Sequence, residues 1–498
     1  MSQPAMSDAP GPRPMRWIGP IGNMLRYFND PIVSAGRLFA RYGNVVSLVK
    51  FPVHIASPGP GWGTGKLRTA TGGGVVLVNG AEHNRTVLTQ HDRFHMIALP
   101  GVLYPLGDVP ERKKPITRMM TGLFHVNGDE HRRHRRLLMP AFAKTRIDAY
   151  RDDMVRITED ALDRLTPGET RDIHSDLTEL TLRIATKTLF GEDEGERGVA
   201  IARMMQSWLM TVFSPWMVLP RLDLPGLPYR RFLDLTRAID RATVEIVRTK
   251  RSRSAPDSPD MLSTLLDAKD EDGSALDEDE IIGHTGVIFA AGHETSTNAL
   301  AWTLFLLAQH PASLRDLEEE LDAVLGGGSP SVEDLAKLPL LDATIKESMR
   351  VLPPVPLHPR IVAEDTELGG YQLPAGSELF LSIFHMHHDP AVFPNPDVFD
   401  PRRWETSKPS VFEYNPFSAG PRMCIGASFA MMEIKLVLAT LLQRFRFELP
   451  EGAEVSPRVA ITMAPQGGLP MRIRRRADAV ASPVRVRGKV RDLVRLPS

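Results

Sequence analysis

The chain's single cysteine lies in a segment whose residue types suit a reactive thiolate. The segment runs from Phe417 to Gly426 and reads FSAGPRMCIG, with Cys424 between Gly420 and Gly426. Glycines allow tight turns and let the backbone approach a flat ligand closely. An apolar helix pattern follows at once, and the N–H groups at a helix start stabilise a thiolate. The pattern predicts that Cys424 is a thiolate metal ligand, as haem-thiolate chemistry requires, rather than a small buried hydrophobe.

A long helix is predicted from about Glu278 to Gln309. Asp277 and Glu280 have the spacing of a capping box, and Pro311 marks the stop. At a rise of roughly 1.5 Å per residue, such a helix would cross a whole domain. It is therefore the element most able to position a central site.

The middle of this helix carries polar residues that need a partner. The sequence GHETSTN begins at Gly292 and includes Glu294 and Thr295. Burying an acid and hydroxyls costs free energy unless something polar uses them. We expect Glu294 and Thr295 to form a proton-delivery pair beside bound oxygen, with a wet helix face as the alternative. Gly292 would let a ligand approach and would allow a local widening of the helix.

Two further groups of charged residues have informative spacing. Glu347 and Arg350 are three residues apart and share a helix face, and Arg403 lies downstream in a Pro-braced turn. A cluster of these three would hold the Pro-rich loop on the thiolate side. His131 and Arg135 are four apart on one side of a basic helix, which suits the anchoring of a carboxylate.

The elements around these segments indicate a mainly α fold with a small β part (α+β). The chain has 498 residues, and 60 Lys+Arg balance 61 Asp+Glu, so its charge gives no sign of a nucleic-acid partner. The longest strongly apolar stretch, Ala299 to Ala308, is too short for a transmembrane segment. One cysteine excludes an intramolecular disulfide and fits a reducing compartment, so we expect a cytoplasmic protein.

Three parts are expected along the chain. Residues 1–16 are polar and Pro-rich and predict a flexible leader, and residues 17–476 form one domain. Its β part falls at about 44–79 and 360–385, and helices make up the rest. The Gly-rich sequence at 57–74 lacks phosphate-loop and dinucleotide spacing and is predicted to be a loop. Residues 477–498 are basic and are expected to form a solvated or disordered tail.

Together these segments resemble the cytochrome P-450 superfamily over most of the chain. The cysteine segment fits the pattern Phe-x-x-Gly-x-Arg-x-Cys-x-Gly at every fixed position, and AGHETS looks like the family's oxygen-activation motif. The resemblance implies a cytochrome P-450 fold with haem b between the long central helix and the cysteine-bearing loop, and Cys424 as the iron ligand. Its structural triad would be Glu347, Arg350 and Arg403. Residues implied to contact the haem are His131, Arg135, Ala291, Arg360, Phe417, Gly420, Arg422, Cys424 and Gly426, with His131, Arg135, Arg360 and Arg422 on the propionates.

The resemblance further implies a monooxygenase of the soluble bacterial type. It would activate O2 with two externally supplied electrons and hydroxylate or epoxidise an apolar small molecule, such as a fatty acid, terpenoid or polyketide. Peroxide-driven oxygenation, haem-dependent rearrangement and a non-catalytic haem sensor are the alternatives. The Glu294–Thr295 pair argues against the first two, and no output domain is visible for a sensor. Glu294 departs from the family pattern, which often has Asp there.

The expected partners follow from the same resemblance. A ferredoxin or flavodoxin with its reductase would supply electrons to a monomer, and Arg132, Arg133, Arg136 and Arg402 would form the docking face. The substrate pocket is expected among apolar residues, although a core position explains many of them equally well. These pocket residues are Ile97, Leu99, Leu103, Val287, Val355, Leu357 and Met463.

Overall fold

The structure is a computed structural model of the 498-residue chain. It describes residues 8–50, 74–96, 114–119, 121–191, 223–252 and 260–497, together with residues 200, 201, 203–205, 207, 208 and 211. The Gly-rich sequence predicted as a loop lies almost entirely outside these residues.

The described helices surround one long central helix, α11. In chain order the helices are α1 (Gly19–Asn29), α2 (Pro31–Tyr42), α3 (Ala81–Thr89), α4 (Lys114–Met119), α5 (Gly128–Leu138), α6 (Lys144–Ala149), α7 (Arg151–Leu162), α8 (Ile173–Phe190), α9 (Pro228–Ser252), α10 (Met261–Asp267), α11 (Glu278–Gln309), α12 (Pro311–Leu325), α13 (Val332–Leu335), α14 (Pro339–Val351), α15 (Ile383–His387) and α16 (Ala427–Arg444). Short 3-10 helices occupy Met139–Phe142, Pro401–Glu405, Gly420–Arg422 and Lys489–Asp492.

The described strands form small sheets at the edges of this helical body. They are β1 (Val45–Val49), β2 (Val75–Val78), β3 (Phe94–His95), β4 (Thr170–Asp172), β5 (Leu357–Val362), β6 (Thr366–Leu368), β7 (Tyr371–Leu373), β8 (Glu378–Ser382), β9 (Phe445–Glu448), β10 (Pro457–Val459), β11 (Met463–Pro465) and β12 (Pro470–Arg475). The largest sheet has the order β1-β2-β8-β5-β3, in which β2 and β8 run parallel and the other pairs antiparallel. Strands β1 and β2 fall in the predicted β range 44–79, and β8 falls in the predicted range 360–385. A three-stranded sheet, β4-β12-β9, joins strands from distant parts of the chain.

The central helix α11 begins and ends where its sequence predicts. The Asp277 carboxylate accepts from the N–H of Glu280, and the Glu280 carboxylate accepts from the N–H of Asp277, so both halves of the capping box form. Trp302 and Phe305 are fully buried in the largest apolar core, as expected of a helix that is apolar on all sides. The helix remains α-helical through Gly292, so the local widening considered there is absent.

The expected flexible leader is wrong for the residues that the structure describes. Ala9 is buried, and the N–H of Ser47 in β1 donates to the Pro10 carbonyl at 2.7 Å. The Pro-rich sequence supplies carbonyl acceptors, although proline lacks the N–H donor that a strand also needs. The chain around Pro10 therefore lies against β1 of the main sheet.

The expected solvated tail is wrong for the part from Val486 to Leu496, whereas none of residues 477–485 is buried. Val486, Val490 and Val494 are buried, and Arg495 forms an ion pair with Asp397 at 2.9 Å. The valines recur every fourth residue among arginines, so one side of the segment is apolar while the charges face outward. The prediction relied on the net basic charge of the segment and did not consider this spacing. The valines pack against the helical body. Among the described residues, no helix has the length and apolar character needed to span a membrane.

Candidate functional site

The loop before α16 holds Cys424 in a closed turn. The Cys424 N–H donates to the Phe417 carbonyl at 2.8 Å. Gly420 has a φ of 69°, and a Cβ atom there would lie 2.5 Å from the carbonyl oxygen of Leu88, so only glycine fits. Gly426 is the N-cap of α16. The segment thus places the thiol at the start of a helix, as predicted.

Opposing influences act on the Cys424 thiol. Its side chain is solvent-accessible, although many protein atoms lie around it. Burial raises the pKa of Cys424, whereas the Gly426 N–H and the charge of Arg135 lower it. The Arg135 guanidinium also donates to the Met423 carbonyl at 2.8 Å, which fixes the residue next to the cysteine. A bound metal cation would complete the shift toward thiolate.

A cluster of cationic side chains lies beside the cysteine loop. Arg360 on β5 and His131 on α5 are 3% and 1% exposed, and Arg422 precedes Cys424 by two residues. Arg422 donates to the carbonyls of Leu123 and Val126, and Arg360 donates to the Pro359 carbonyl. Neither of these arginines, nor Arg135, contacts an acidic side chain among the described residues. We call Arg135, Arg360 and Arg422, together with the neighbouring neutral His131, the cationic cluster.

The cationic cluster carries unbalanced positive charge. Burial lowers the pKa of Arg360 to about 10. Burial, and then repulsion from Arg360 and Arg135, lowers the pKa of Arg422 to about 9. Burial and the charges of Arg422 and Arg135 likewise lower the pKa of His131 to about 3. Because buried like charges destabilise one another, the cluster requires an anion.

The residues present fit a haem. Cys424 supplies an iron ligand, and the cationic cluster supplies partners for carboxylates. Buried His131 Nδ1 and Arg422 Nε have no hydrogen-bond partner among the described residues. On α11, a Cβ atom placed on Gly292 would meet no atom within 4 Å, so the helix is open beside half-buried Ala291.

Glu294 and Thr295 have different hydrogen-bond partners. The Thr295 hydroxyl donates to the Ala291 carbonyl one turn back at 2.8 Å. The Glu294 carboxylate accepts a 2.8 Å hydrogen bond from the Thr462 hydroxyl, in the turn between β10 and β11. The two residues predicted as a pair are neighbours on α11, but a hairpin from the end of the chain orients the acid. The sequence contained no local signal for Thr462.

A buried acid that the sequence analysis missed joins α11 to α16. Glu433 is 0% exposed and accepts a 2.5 Å hydrogen bond from the Ser296 hydroxyl. Its other oxygen has no partner among the described residues. Burial raises the pKa of Glu433 to about 8, and the Ser296 hydrogen bond opposes that rise. The available signal was a lone carboxylate in the apolar run FAMMEIKLVL that follows the cysteine.

Glu347, Arg350 and Arg403 are brought together. Fully buried Glu347 and Arg350 form a bidentate pair, with nitrogen–oxygen distances of 2.8 and 2.9 Å, and Arg403 donates to Glu347 at 3.2 Å. Arg350 also donates to the carbonyls of His387, Pro396 and Val398, and Trp404 donates to Glu347. The cluster braces the Pro-rich loop from within.

The predicted pocket residues separate into three groups. Val287 and Val355 are half-buried, which suits residues that line a pocket. Leu357 and Met463 are buried in apolar cores, and the Met463 carbonyl accepts a hydrogen bond from the Trp302 indole, so both stand as core positions in this structure. Ile97, Leu99 and Leu103 lie outside the described residues.

The predicted docking arginines are neutralised within the chain. Each has an acidic partner: Arg132 pairs with Asp129, Arg133 with Glu280, Arg136 with Asp270 and Arg402 with Asp316. Helix-end and loop carboxylates thus balance the basic run, and these residues do not form the unbalanced patch that was expected.

Known proteins share both the sequence and the fold. The cytochrome P450 family model matches residues 70–469. Cyclooctatin synthase of Streptomyces melanosporofaciens is 33% identical over 375 residues, 73% of this chain and 81% of that protein. Cyclooctat-9-en-7-ol 5-monooxygenase of the same organism is 35% identical over 328 residues, 64% and 71% of the two chains. The retinoic acid bound cyanobacterial CYP120A1 superposes with a TM-score of 0.78 over 95% of this chain and all of that one, at 23% identity.

These findings confirm the predicted family and the predicted α+β fold. The family match spans well over half of the chain and includes α11 and Cys424. The chain belongs to the cytochrome P450 family and is a haem-dependent monooxygenase.

Proposed function

We propose that Cys424 is the axial ligand of haem b and that this chain inserts one oxygen atom of O2 into an apolar small molecule. The observation that carries the proposal is the convergence of one thiol and three arginines without a matching carboxylate among the described residues. When bound, the haem supplies oxygen activation, and electron donation from the thiolate favours O–O cleavage.

The cationic cluster would hold the haem propionates. Arg422 and Arg360 are available for charge-assisted hydrogen bonds, because neither has an acidic partner among the described residues. Burial of Arg360 would strengthen such a bond. Arg135 would link the two functions, since it contacts the Met423 carbonyl and lowers the pKa of Cys424. His131, with its depressed pKa, would act as a neutral hydrogen-bond donor.

Glu294 and Thr295 would deliver protons at the face of α11. The Thr295 hydroxyl donates its hydrogen to the Ala291 carbonyl. Its oxygen can therefore still accept a hydrogen bond from a water. Glu294 would carry protons between solvent and that water, and Thr462 would hold its carboxylate between transfers. Thr462 is thus proposed as a positioning residue.

The substrate is proposed to be apolar, such as a fatty acid, terpenoid or polyketide. Half-buried Val287 on α11 and half-buried Val355, between α14 and β5, support an apolar lining. One relative is named cyclooctat-9-en-7-ol 5-monooxygenase, and a structural neighbour is described with bound retinoic acid. A screen of lipophilic and polar compounds for shifts of the haem absorption band would identify ligands. Shifts caused only by the polar compounds would contradict the proposal.

Electrons are proposed to come from a ferredoxin or flavodoxin that docks beside the cysteine loop. Exposed Lys408, Val411 and Met423 lie in or just before that loop, and Lys408 has no ion pair among the described residues. These residues replace the paired arginines as the expected contact. Reduction by ferredoxin should slow for Lys408→Glu and stay unchanged for Arg136→Gln, with dithionite reduction as the control.

The decisive test of the function is spectroscopic. Reduced protein with carbon monoxide should show the strongly red-shifted absorption of thiolate ligation, and Cys424→His should lose it while retaining haem. A histidine-type spectrum in the wild type would refute the assignment. Turnover with a ferredoxin system, compared with peroxide alone, then separates a monooxygenase from a peroxygenase.

A further inference from the structure

Four large exposed apolar side chains lie in one short stretch near the N-terminus. Trp17 is 87% exposed, Leu25 62%, Ile18 54% and Phe28 43%. Other large exposed apolar residues among those described are spread singly along the chain. Together the four expose an area on the order of several hundred Å², a size that marks an interaction site in a monomer. We call these residues the N-terminal apolar patch.

The patch lies on a helix that is firmly attached to the protein. Leu25 and Phe28 lie one turn apart on α1, Ile18 is the N-cap residue of that helix, and Trp17 directly precedes it. Tyr27 of α1 is buried, and its ring lies 6.3 Å from that of Phe380 in the main sheet, while the partly exposed Phe28 ring lies 6.1 Å from the same Phe380. The patch is therefore a fixed surface rather than a fraying end.

The sequence around the patch is rich in arginine. Residues 8–42 contain five arginines and two acids, although the whole chain carries a net charge of −1. Arg13, Arg16 and Arg26 are exposed, and Arg16 lies over the Trp17 ring at 5.4 Å. One of the two acids, Asp30, caps α2 and pairs with Lys489. The surplus of cations is thus concentrated where the apolar side chains are exposed.

We propose that the N-terminal apolar patch docks the protein on an anionic phospholipid surface. Tryptophan favours the headgroup boundary, aliphatic and aromatic side chains insert below it, and arginines attract lipid phosphates. A second copy of the chain is a poorer occupant, because a twofold contact would bring the same arginines together. The binding is peripheral and reversible, since the patch lies on one short helix.

The test is co-sedimentation of the full-length protein with vesicles. Vesicles of phosphatidylcholine and phosphatidylglycerol in equal parts should bind it, and pure phosphatidylcholine should bind at least tenfold more weakly. Leu25→Ser should weaken binding about tenfold, as expected from the lost burial of one leucine. Val411→Ser is the matched control, because Val411 is also 62% exposed but lies far along the chain from α1.

Each outcome decides the proposal. Binding that is lost in Leu25→Ser, retained in Val411→Ser and weakened by salt supports it. Failure of the wild-type protein to bind anionic vesicles overturns it. An equal loss of vesicle binding in Leu25→Ser and Val411→Ser also overturns it. Sedimentation of the free protein tests the alternative occupant, because a dimer that Leu25→Ser converts to monomer would assign the patch to self-association.

Discussion

Glu433→Gln should change how the stability of this enzyme depends on pH. Burial raises the pKa of Glu433 from 4.5 to about 8, so the folded chain keeps a proton that the unfolded chain releases over this interval. Stability is therefore fully present below pH 4.5 and is lost as pH rises toward about 8. Glutamine has the same shape and no charge, so the variant lacks this loss.

The expected size of the effect follows from the same interval. At about 1.4 kcal/mol for each pH unit, the free energy of unfolding falls by at most about 5 kcal/mol between the two pKa values. The unfolding entropy of a chain of 498 residues is roughly 1 kcal/mol per kelvin, so the melting temperature shifts by about 5 °C. This loss is specific to Glu433, because other titrating groups contribute equally to the wild type and the variant.

Thermal unfolding from pH 5 to pH 9 measures this difference. Glu433→Gln should match the wild type near pH 5 within the cost of its altered hydrogen bond, and become more stable by about 5 °C near pH 8.5. Ser296→Ala is an informative companion, because removal of the hydroxyl that opposes the effect of burial should extend the loss to higher pH. Parallel melting curves for the wild type and Glu433→Gln would refute the reasoning.

Further changes test the proposed site and the corrected fold. Thr295→Ala should keep haem and substrate binding but divert electrons to peroxide, and unchanged product per reducing equivalent would exclude the relay. Thr462→Val should act in the same direction but only about fivefold, the worth of one hydrogen bond of about 1 kcal/mol. Arg350→Lys should abolish the carbon monoxide band, because lysine cannot reproduce a buried bidentate pair, and a normal band would contradict this. Removal of residues 477–498 should lower the melting temperature by several degrees, whereas a solvated tail would leave it unchanged.

Local signals were sufficient where a structure depends on nearby residues. The ends of α11 follow from a capping box and a proline, and the cysteine turn follows from the glycines around it. Spacing in sequence also located Glu347 and Arg350 on one face of α14. Each of these features joins residues within a few positions of one another, so the sequence pattern carries the geometry.

Contacts between distant residues lay beyond the same reasoning. Thr462 is 168 positions from Glu294, and Ser296 is 137 positions from Glu433, so only the folded chain brings each pair together. The pairing of the basic residues Arg136 and Arg402 was missed for the same reason, since their acidic partners come from other elements. The prediction of a solvated C-terminal tail used the basic composition of the segment. Composition contains no information on the spacing of the valines that are buried.

Unbalanced charge identifies the site more sharply than shape does. A surface groove of about 390 Å³ lies between α4 and α9, yet its Arg118 is matched by Asp240 and Asp279. The buried arginines beside Cys424 have no such partner in the described chain, and their pKa values fall in consequence. Folding tolerates buried repulsion when a bound anion relieves it, and the haem carboxylates would do so here. We therefore expect haem binding and chain stability to be coupled, because the group that completes the active site would also neutralise these buried arginines.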